Sequence, residues 1–370
     1  MASRSVAGDM KARDLIEQYG WSDVLRQVFE PHARAGHRPG RIVAQHRDGY
    51  QVVADEGELR AKPAGRLLHE AREAGHPAVG DWVALSPGPA EGVATVHAIL
   101  PRRTAFVRRA ADSVQTLQVI AANIDVAFVV SSLNADFNPR RIERYLAAAW
   151  QSGARPVVVL TKSDLADDPQ GQADVIAALA AGCPVLTVSA RRGLGLDALL
   201  AHVAPGETCV LIGSSGVGKS TLVNAFLGED RLATRAIRES DHQGRHTTSH
   251  RQLVLLPGGG LILDTPGMRE VGLIDAEEGL SVVFDDIERL IEACKFNDCG
   301  HAKEPGCAVR EALADGALDP ARWAHFQKLG VELAEVQDRA DRAARDAERR
   351  RLAALQKTYR ANKRDARGGD

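Results

Sequence analysis

Gly213-Ser214-Ser215-Gly216-Val217-Gly218-Lys219-Ser220 has the glycine spacing of a phosphate-wrapping loop closed by a lysine and a hydroxyl. Gly213, Gly216 and Gly218 let the main chain turn its N–H groups toward an anion with no Cβ in the way. A helix starting near Lys219 adds the positive end of its dipole. Lys219 would reach the β- and γ-phosphates and the Ser220 hydroxyl would take Mg²⁺, with Thr221 in the same nucleotide-binding turn.

Two other strings suit a guanine nucleotide. In Thr161-Lys162-Ser163-Asp164 the aspartate can accept two hydrogen bonds, from N1–H and the exocyclic amine of guanine, a donor pair that adenine does not present. The Lys162 stem can lie along the base. Thr161 stands where asparagine is usual, which predicts a weaker brace on the phosphate loop. Ser189-Ala190, after the strand Val185–Val188, resembles the main-chain element that meets the guanine carbonyl. In Asp264-Thr265-Pro266-Gly267, Asp264 suits Mg²⁺ and the Gly267 amide suits the γ-phosphate. Thr247 and Thr248 fall in a polar stretch between loop and switch, where Thr248 could close its hydroxyl over Mg²⁺. Met268 occupies the place where many GTPases put the glutamine that orients water. His246 is the candidate to replace it, with a nitrogen able to accept a hydrogen bond near neutral pH. The catalytic set is therefore His246, Lys219 and Thr248. In ordinary GTPases the guanine-selecting element comes last; here it comes first, so the domain reads as circularly permuted.

Cys294-x4-Cys299-x-His301-x5-Cys307 offers three thiolates and an imidazole within fourteen residues. That set suits one closed tetrahedral Zn²⁺ per chain, with no position for a catalytic water. Cys183 and Cys209 sit in apolar runs and read as core residues.

These groups need elements to position them. The runs Pro156–Leu160, Thr208–Ile212 and Leu261–Leu263 lead directly into the three nucleotide motifs, placing each at the carboxyl end of a strand, where open α/β sheets bind ligands. Ile124–Val130 reads as a buried strand, and Arg140–Trp150 as a helix. Earlier, a helix is expected over Asp14–Phe29, then a loop with Pro31, Gly36, Pro39 and Gly40. Short strands follow at Ile42–Ala44, Tyr50–Val53, Gly80–Leu85 and Val93–Ile99, a small antiparallel barrel whose periodicity cannot separate an OB-fold from an SH3-like barrel. The remainder reads as helical around the cysteines.

At 370 residues the chain can hold several cores, and its 44% hydrophobic and 26% charged content is ordinary for a soluble protein. No apolar run approaches a membrane span and no signal peptide opens the chain, which predicts a cytoplasmic protein with no membrane partner. A net charge of -2 argues against a uniformly basic nucleic-acid binder. Local basic groups remain: Arg102, Arg103, Arg108 and Arg109, and a tail from Asp338 to Asp370 with eleven Lys/Arg against six Asp/Glu.

The permuted order, Gly244-Arg245-His246-Thr247-Thr248, the cysteine pattern, Pro77–Trp82 and Asn138–Leu146 together resemble the RsgA (YjeQ) family, bacterial GTPases dependent on the small ribosomal subunit. The resemblance, over about 36–340, implies a multidomain α/β architecture of an OB-fold β-barrel, a circularly permuted P-loop GTPase domain and a C-terminal helical zinc-binding domain. The expected limits are an N-terminal extension (1–35), the barrel (36–112), the GTPase domain (113–275), the zinc-binding domain (276–340) and a basic tail (341–370). It implies GTP hydrolysis to GDP, stimulated by the small subunit and coupled to late maturation of that particle and to release. It also implies a catalytic role for His246. The expected cofactors are GTP/GDP, Mg²⁺ and Zn²⁺; the expected partners are the small ribosomal subunit and its rRNA, met by a monomer. An RNA-binding scaffold with nucleotide as a structural ligand is the alternative, and a P-loop ATPase or kinase a third reading.

Overall fold

The structure, a computed structural model, describes residues 15–46, 48–67, 76–87, 93–109, 117–134, 137–180, 182–228, 251–264 and 277–335, with scattered positions to 349. By contacts the chain divides into two units, Met1–Val107 with Val119–Gly272, and Arg108–Gln118 with Leu273–Asp370.

The first unit opens with two helices where one was expected. Helix α1 (Leu15–Gln18) ends at Gly20, whose φ of +91° reverses the chain, and α2 (Asp23–Arg34) restarts behind the Ser22 N-cap. Pro31 lies in the last turns of α2, and Pro39 and Gly40 belong to strand β1 (Arg38–His46); none of the three is in a loop. Trp21 anchors the segment, 5.7 Å from Phe29 and 4.9 Å from Trp82 between ring centroids.

Strands β1, β2 (Gly49–Ala54), β3 (Gly57–Pro63), β4 (Trp82–Pro87) and β5 (Val93–Ile99) pair in the closed order β1-β2-β3-β5-β4-β1. β3 and β5 run parallel and the other pairs antiparallel. That five-stranded closure is an OB-fold, which resolves the ambiguity left by periodicity. Closure happens along β1, whose first half pairs with β4 and second half with β2. Gly40 sits at the crossing, where a Cβ would meet Leu85 Cδ1 at 2.5 Å and Val52 Cγ1 at 2.6 Å. β3 was not foreseen: only Ala61 of its seven residues is buried.

Beyond β6 (Ala105–Arg109) and β7 (Leu117–Ala122) comes the α/β region: β8 (Val126–Ser132), α3 (Pro139–Ser152), β9 (Arg155–Thr161), α4 (Pro169–Leu179), β10 (Val185–Thr187), α5 (Leu196–Leu200), β11 (Thr208–Ile212), α6 (Lys219–Leu227), β12 (Gln252–Leu255) and β13 (Leu261–Asp264). Its strands lie in the order β10-β9-β8-β11-β13-β12, parallel except for β12. β8 and β11 are buried at every position, as a sheet covered on both faces requires. β12 also pairs with barrel strand β1 at Ala44↔Gln252, so barrel and α/β sheet share one hydrogen-bonded ribbon.

The second unit holds α7 (Glu277–Val283), α8 (Asp285–Glu292), α9 (Ala308–Asp315) and a helix over 320–335. Phe284 is fully buried against Phe326, with Arg322 4.7 Å above its ring. Among the described residues no helix is long and apolar enough to cross a membrane.

Candidate nucleotide site and metal centre

β11 delivers the chain into the phosphate loop at Gly213, and α6 begins at Lys219. Gly213, Gly216 and Gly218 have φ of +146°, +81° and +103°, a conformation L side chains rarely adopt. At Gly213 the constraint is also steric, since a Cβ would lie 2.2 Å from the Val130 carbonyl oxygen. The Lys219 ammonium donates to the Gly213 and Ser214 carbonyls at 2.6 and 2.5 Å, which keeps it over the concave side of the loop. Ser215 and Val217 complete that loop, and Ser220 and Thr221 fall in the first turn of α6.

The string Thr161–Asp164 comes off the end of β9 and grips the same loop. The buried Thr161 hydroxyl lies 2.5 Å from the Val217 carbonyl and 3.2 Å from that of Ser131. Lys162, at φ +59°, donates from Nζ to the Gly216 carbonyl at 2.8 Å. Threonine therefore braces the loop through its hydroxyl. Ser163 starts a short 3₁₀ turn that presents Asp164. Asp164 accepts from the Ser189 hydroxyl at 2.6 Å, and that bond, with Arg192 3.9 Å away, holds its carboxyl below the usual carboxylate range. Thr161, Lys162, Asp164, Ser189, Ala190 and Thr221 all line one pocket of about 230 Å³. The result is a carboxylate acceptor at the wall of a pocket beside a phosphate loop.

Of the remaining expected residues, His246, Thr247, Thr248, Gly267 and Met268 lie outside the described residues, as does most of the basic tail. Asp264 closes strand β13, parallel to and hydrogen-bonded with β11, so its main chain stands beside the phosphate-loop strand.

Several contacts were not anticipated. Arg141, in the first turn of α3 behind the Asn138 cap, donates to the Ser214 hydroxyl at 3.2 Å. Two of the arginines read as a basic patch are occupied within the fold. Arg102 grips buried Asp81 in a bidentate pair, 2.7 Å on each side, and Arg103 pairs with Asp125 at 3.0 Å. Arg41, 2% exposed, donates to the carbonyls of Gly80, Tyr19 and Asn123 and to the Thr208 hydroxyl at 2.8 Å. Burial pushes its guanidinium down to about 10, so it remains charged at neutral pH. It thus ties the N-terminal segment and the barrel to the first residue of β11.

In the second unit Cys294, Cys299, His301 and Cys307 bring their ligand atoms within 4.8 Å of one another. Cys294 Sγ is 3.9 Å from Cys307 Sγ, and His301 Nδ1 is 3.6 and 3.5 Å from those two sulfurs. Tetrahedral zinc with ordinary Zn–S and Zn–N bonds needs about 3.8 Å between sulfurs and about 3.6 Å from sulfur to nitrogen. The donor set fits. Burial raises the Cys294 thiol, but amides at the start of α9 (Val309, Ala308) outweigh it and leave the thiol below its ordinary value. Trp323 packs edge-on against His301, ring centroids 5.5 Å apart. Glu304 accepts from three amides of the intervening loop; with its own amide, then those of Lys303 and Ala302, they bring its carboxyl down to about 2. Burial moves Cys209 upward and half-buried Cys183 up to about 11, as befits inert thiols.

The chain is 46% identical over 359 residues to the small ribosomal subunit biogenesis GTPase RsgA of Opitutus terrae, covering 94% of this chain and 98% of that relative. It is 46% identical over 333 residues to the protein of the same name from Streptomyces coelicolor, covering 89% and 90%. Among solved structures, YjeQ from Thermotoga maritima matches with a TM-score of 0.60 at 27% identity, over 80% of this chain and 99% of that one. YloQ, described as a circularly permuted GTPase, matches at 0.56 and 26%, over 82% and 96%. Residues 99–274 match the model of the RsgA GTPase family. With Thr161–Asp164 ahead of its phosphate loop and both lining one pocket, the chain belongs to the RsgA GTPase family.

Proposed function

We propose that this GTPase acts on the small ribosomal subunit, coupling GTP hydrolysis to late maturation of that particle and to its own departure. The observation that carries the nucleotide half is the lock between base-selecting string and phosphate loop, through Thr161 and Lys162 onto Val217 and Gly216. The partner follows from the names of relatives that match almost end to end.

In the reaction, water attacks the γ-phosphorus, the bond from that phosphorus to the β–γ bridging oxygen breaks, and GDP and phosphate result. Lys219 and the loop amides neutralise charge on the phosphates. Ser220, Asp264 and Thr248 would hold Mg²⁺, Thr248 by closing over it. Ser189-Ala190 and Asp164 read the base, and the Gly267 amide meets the γ-phosphate. His246 orients the attacking water, the task Met268 cannot perform. One zinc ion held by Cys294, Cys299, His301 and Cys307 would organise the C-terminal helices, in a closed site without catalytic water. We place the protein in the cytoplasm as a monomer, with domain limits near 36, 113, 276 and 341.

GTP turnover measured with and without purified small subunits tests the reading. Marked stimulation is expected from wild type and not from His246→Ala. Turnover indifferent to the subunit overturns the coupling, and a His246→Ala protein as active as wild type overturns the catalytic assignment.

A further inference from the structure

We infer that Glu304 is a positioning residue for the metal ligand His301, a role resting on the zinc reading above. His301 is one of only three non-glycine residues with positive φ among the described residues, at +56°. Such a backbone is costly for a side chain bearing a Cβ and persists only where its surroundings impose it. One carboxylate imposes it here. Glu304 Oε1 accepts from the Gly300 amide at 3.1 Å, and Oε2 accepts from the Ala302 and Lys303 amides, each at 2.9 Å. The amides on either side of His301 are therefore tied to the two oxygens of a single group.

The clamp is itself held. Arg310, in the first turn of α9, donates to the Glu304 carbonyl at 3.3 Å. Space reinforces it at Gly300, where a Cβ would stand 3.1 Å from Oε1. The result is that Nδ1 of His301 meets the sulfurs of Cys294 and Cys307 at the separations tetrahedral zinc requires. Glu304 reaches none of the ligand atoms; it acts on the metal only through the backbone of His301. Residues that orient a ligand in this way typically change metal affinity about 10- to 100-fold when removed.

The test uses the full-length zinc-loaded protein and follows transfer of zinc to a chromogenic chelator. Glu304→Ala should release zinc about 10- to 100-fold faster than wild type, and Glu304→Gln, which keeps one carbonyl acceptor, should fall between. Added to His301→Ala, Glu304→Ala should accelerate release no further. In cobalt-substituted protein, Glu304→Ala should shift the d–d bands as the nitrogen ligand is displaced. If Glu304→Ala fails to fold, the Gln variant carries the comparison. Release within twofold of wild type in both variants overturns the assignment, as does equal acceleration with and without His301. Wild type that purifies without zinc overturns the metal reading itself, a result distinguishable from either.

Discussion

Replacing Arg41 by methionine sets two opposed effects against each other. Arg41 is 2% exposed, so burying its charge costs several kcal/mol of lost hydration, which an apolar isostere recovers. Against that stand its four acceptors. The Gly80 carbonyl keeps a donor, since Asn123 Nδ2 lies 3.0 Å away. The Tyr19 and Asn123 carbonyls and the Thr208 hydroxyl lose theirs, at about 1–3 kcal/mol for each acceptor stranded away from water. The stranded acceptors outweigh the recovered hydration, and Arg41→Met should lose about 2–5 kcal/mol of stability. Arg41→Lys should lose more. Its single ammonium keeps the buried charge, yet cannot reach acceptors that diverge from a planar fork. The assay is urea unfolding followed by tryptophan emission, well placed because Arg41 lies 5.3 Å from the Trp82 ring and Trp21 packs on Trp82. A methionine variant within 0.5 kcal/mol of wild type (about a twofold change in the equilibrium) would refute the reasoning. So would a lysine variant more stable than the methionine one.

Thr161→Val keeps the shape and removes the hydroxyl from Val217 and Ser131. GDP affinity by titration calorimetry should fall about 5- to 30-fold, as expected for one buried hydrogen bond, while Thr161→Asn, which can donate to the same carbonyl, should bind close to wild type. Burial raises the carboxyl of Asp286, but the bidentate Arg322 outweighs it and leaves it below its ordinary value. A depressed acid stabilises fully above its unfolded pKa of about 3.9, and the contribution fades as pH falls through the folded value. Asp286 is half exposed, so Asp286→Asn should cost no more than about 1 kcal/mol at pH 7, with the difference from wild type vanishing in acid melts. A gap that persists at pH 2 would show that the ion pair is not its source.

The candidate nucleotide and metal strings stood out because their chemistry demands residue types at close spacing: glycines where φ is positive, an acid able to face a base, thiolates able to take a metal. Elements whose role is carried by the backbone left weaker traces. Strand β3, Glu-Leu-Arg-Ala-Lys within it, buries one residue and so offers no apolar run to mark it. The break between α1 and α2 depends on Gly20 meeting Gly206, far along the chain. Arg41 and Glu304 act on main-chain carbonyls and amides, which any residue can supply, so no partner type betrays them. Arg102 and Arg103 mislead for the converse reason. Charge in a sequence shows where a cation is, not whether an Asp81 or Asp125 has already claimed it.

The pairing of Ala44 with Gln252 has a consequence for how force passes through the first unit. Strand β12 is stitched on one edge to the wall of the barrel and on the other to β13, which lies beside the strand that delivers the phosphate loop. A load on the barrel wall therefore reaches that loop through three successive backbone pairings, β1 with β12, β12 with β13 and β13 with β11.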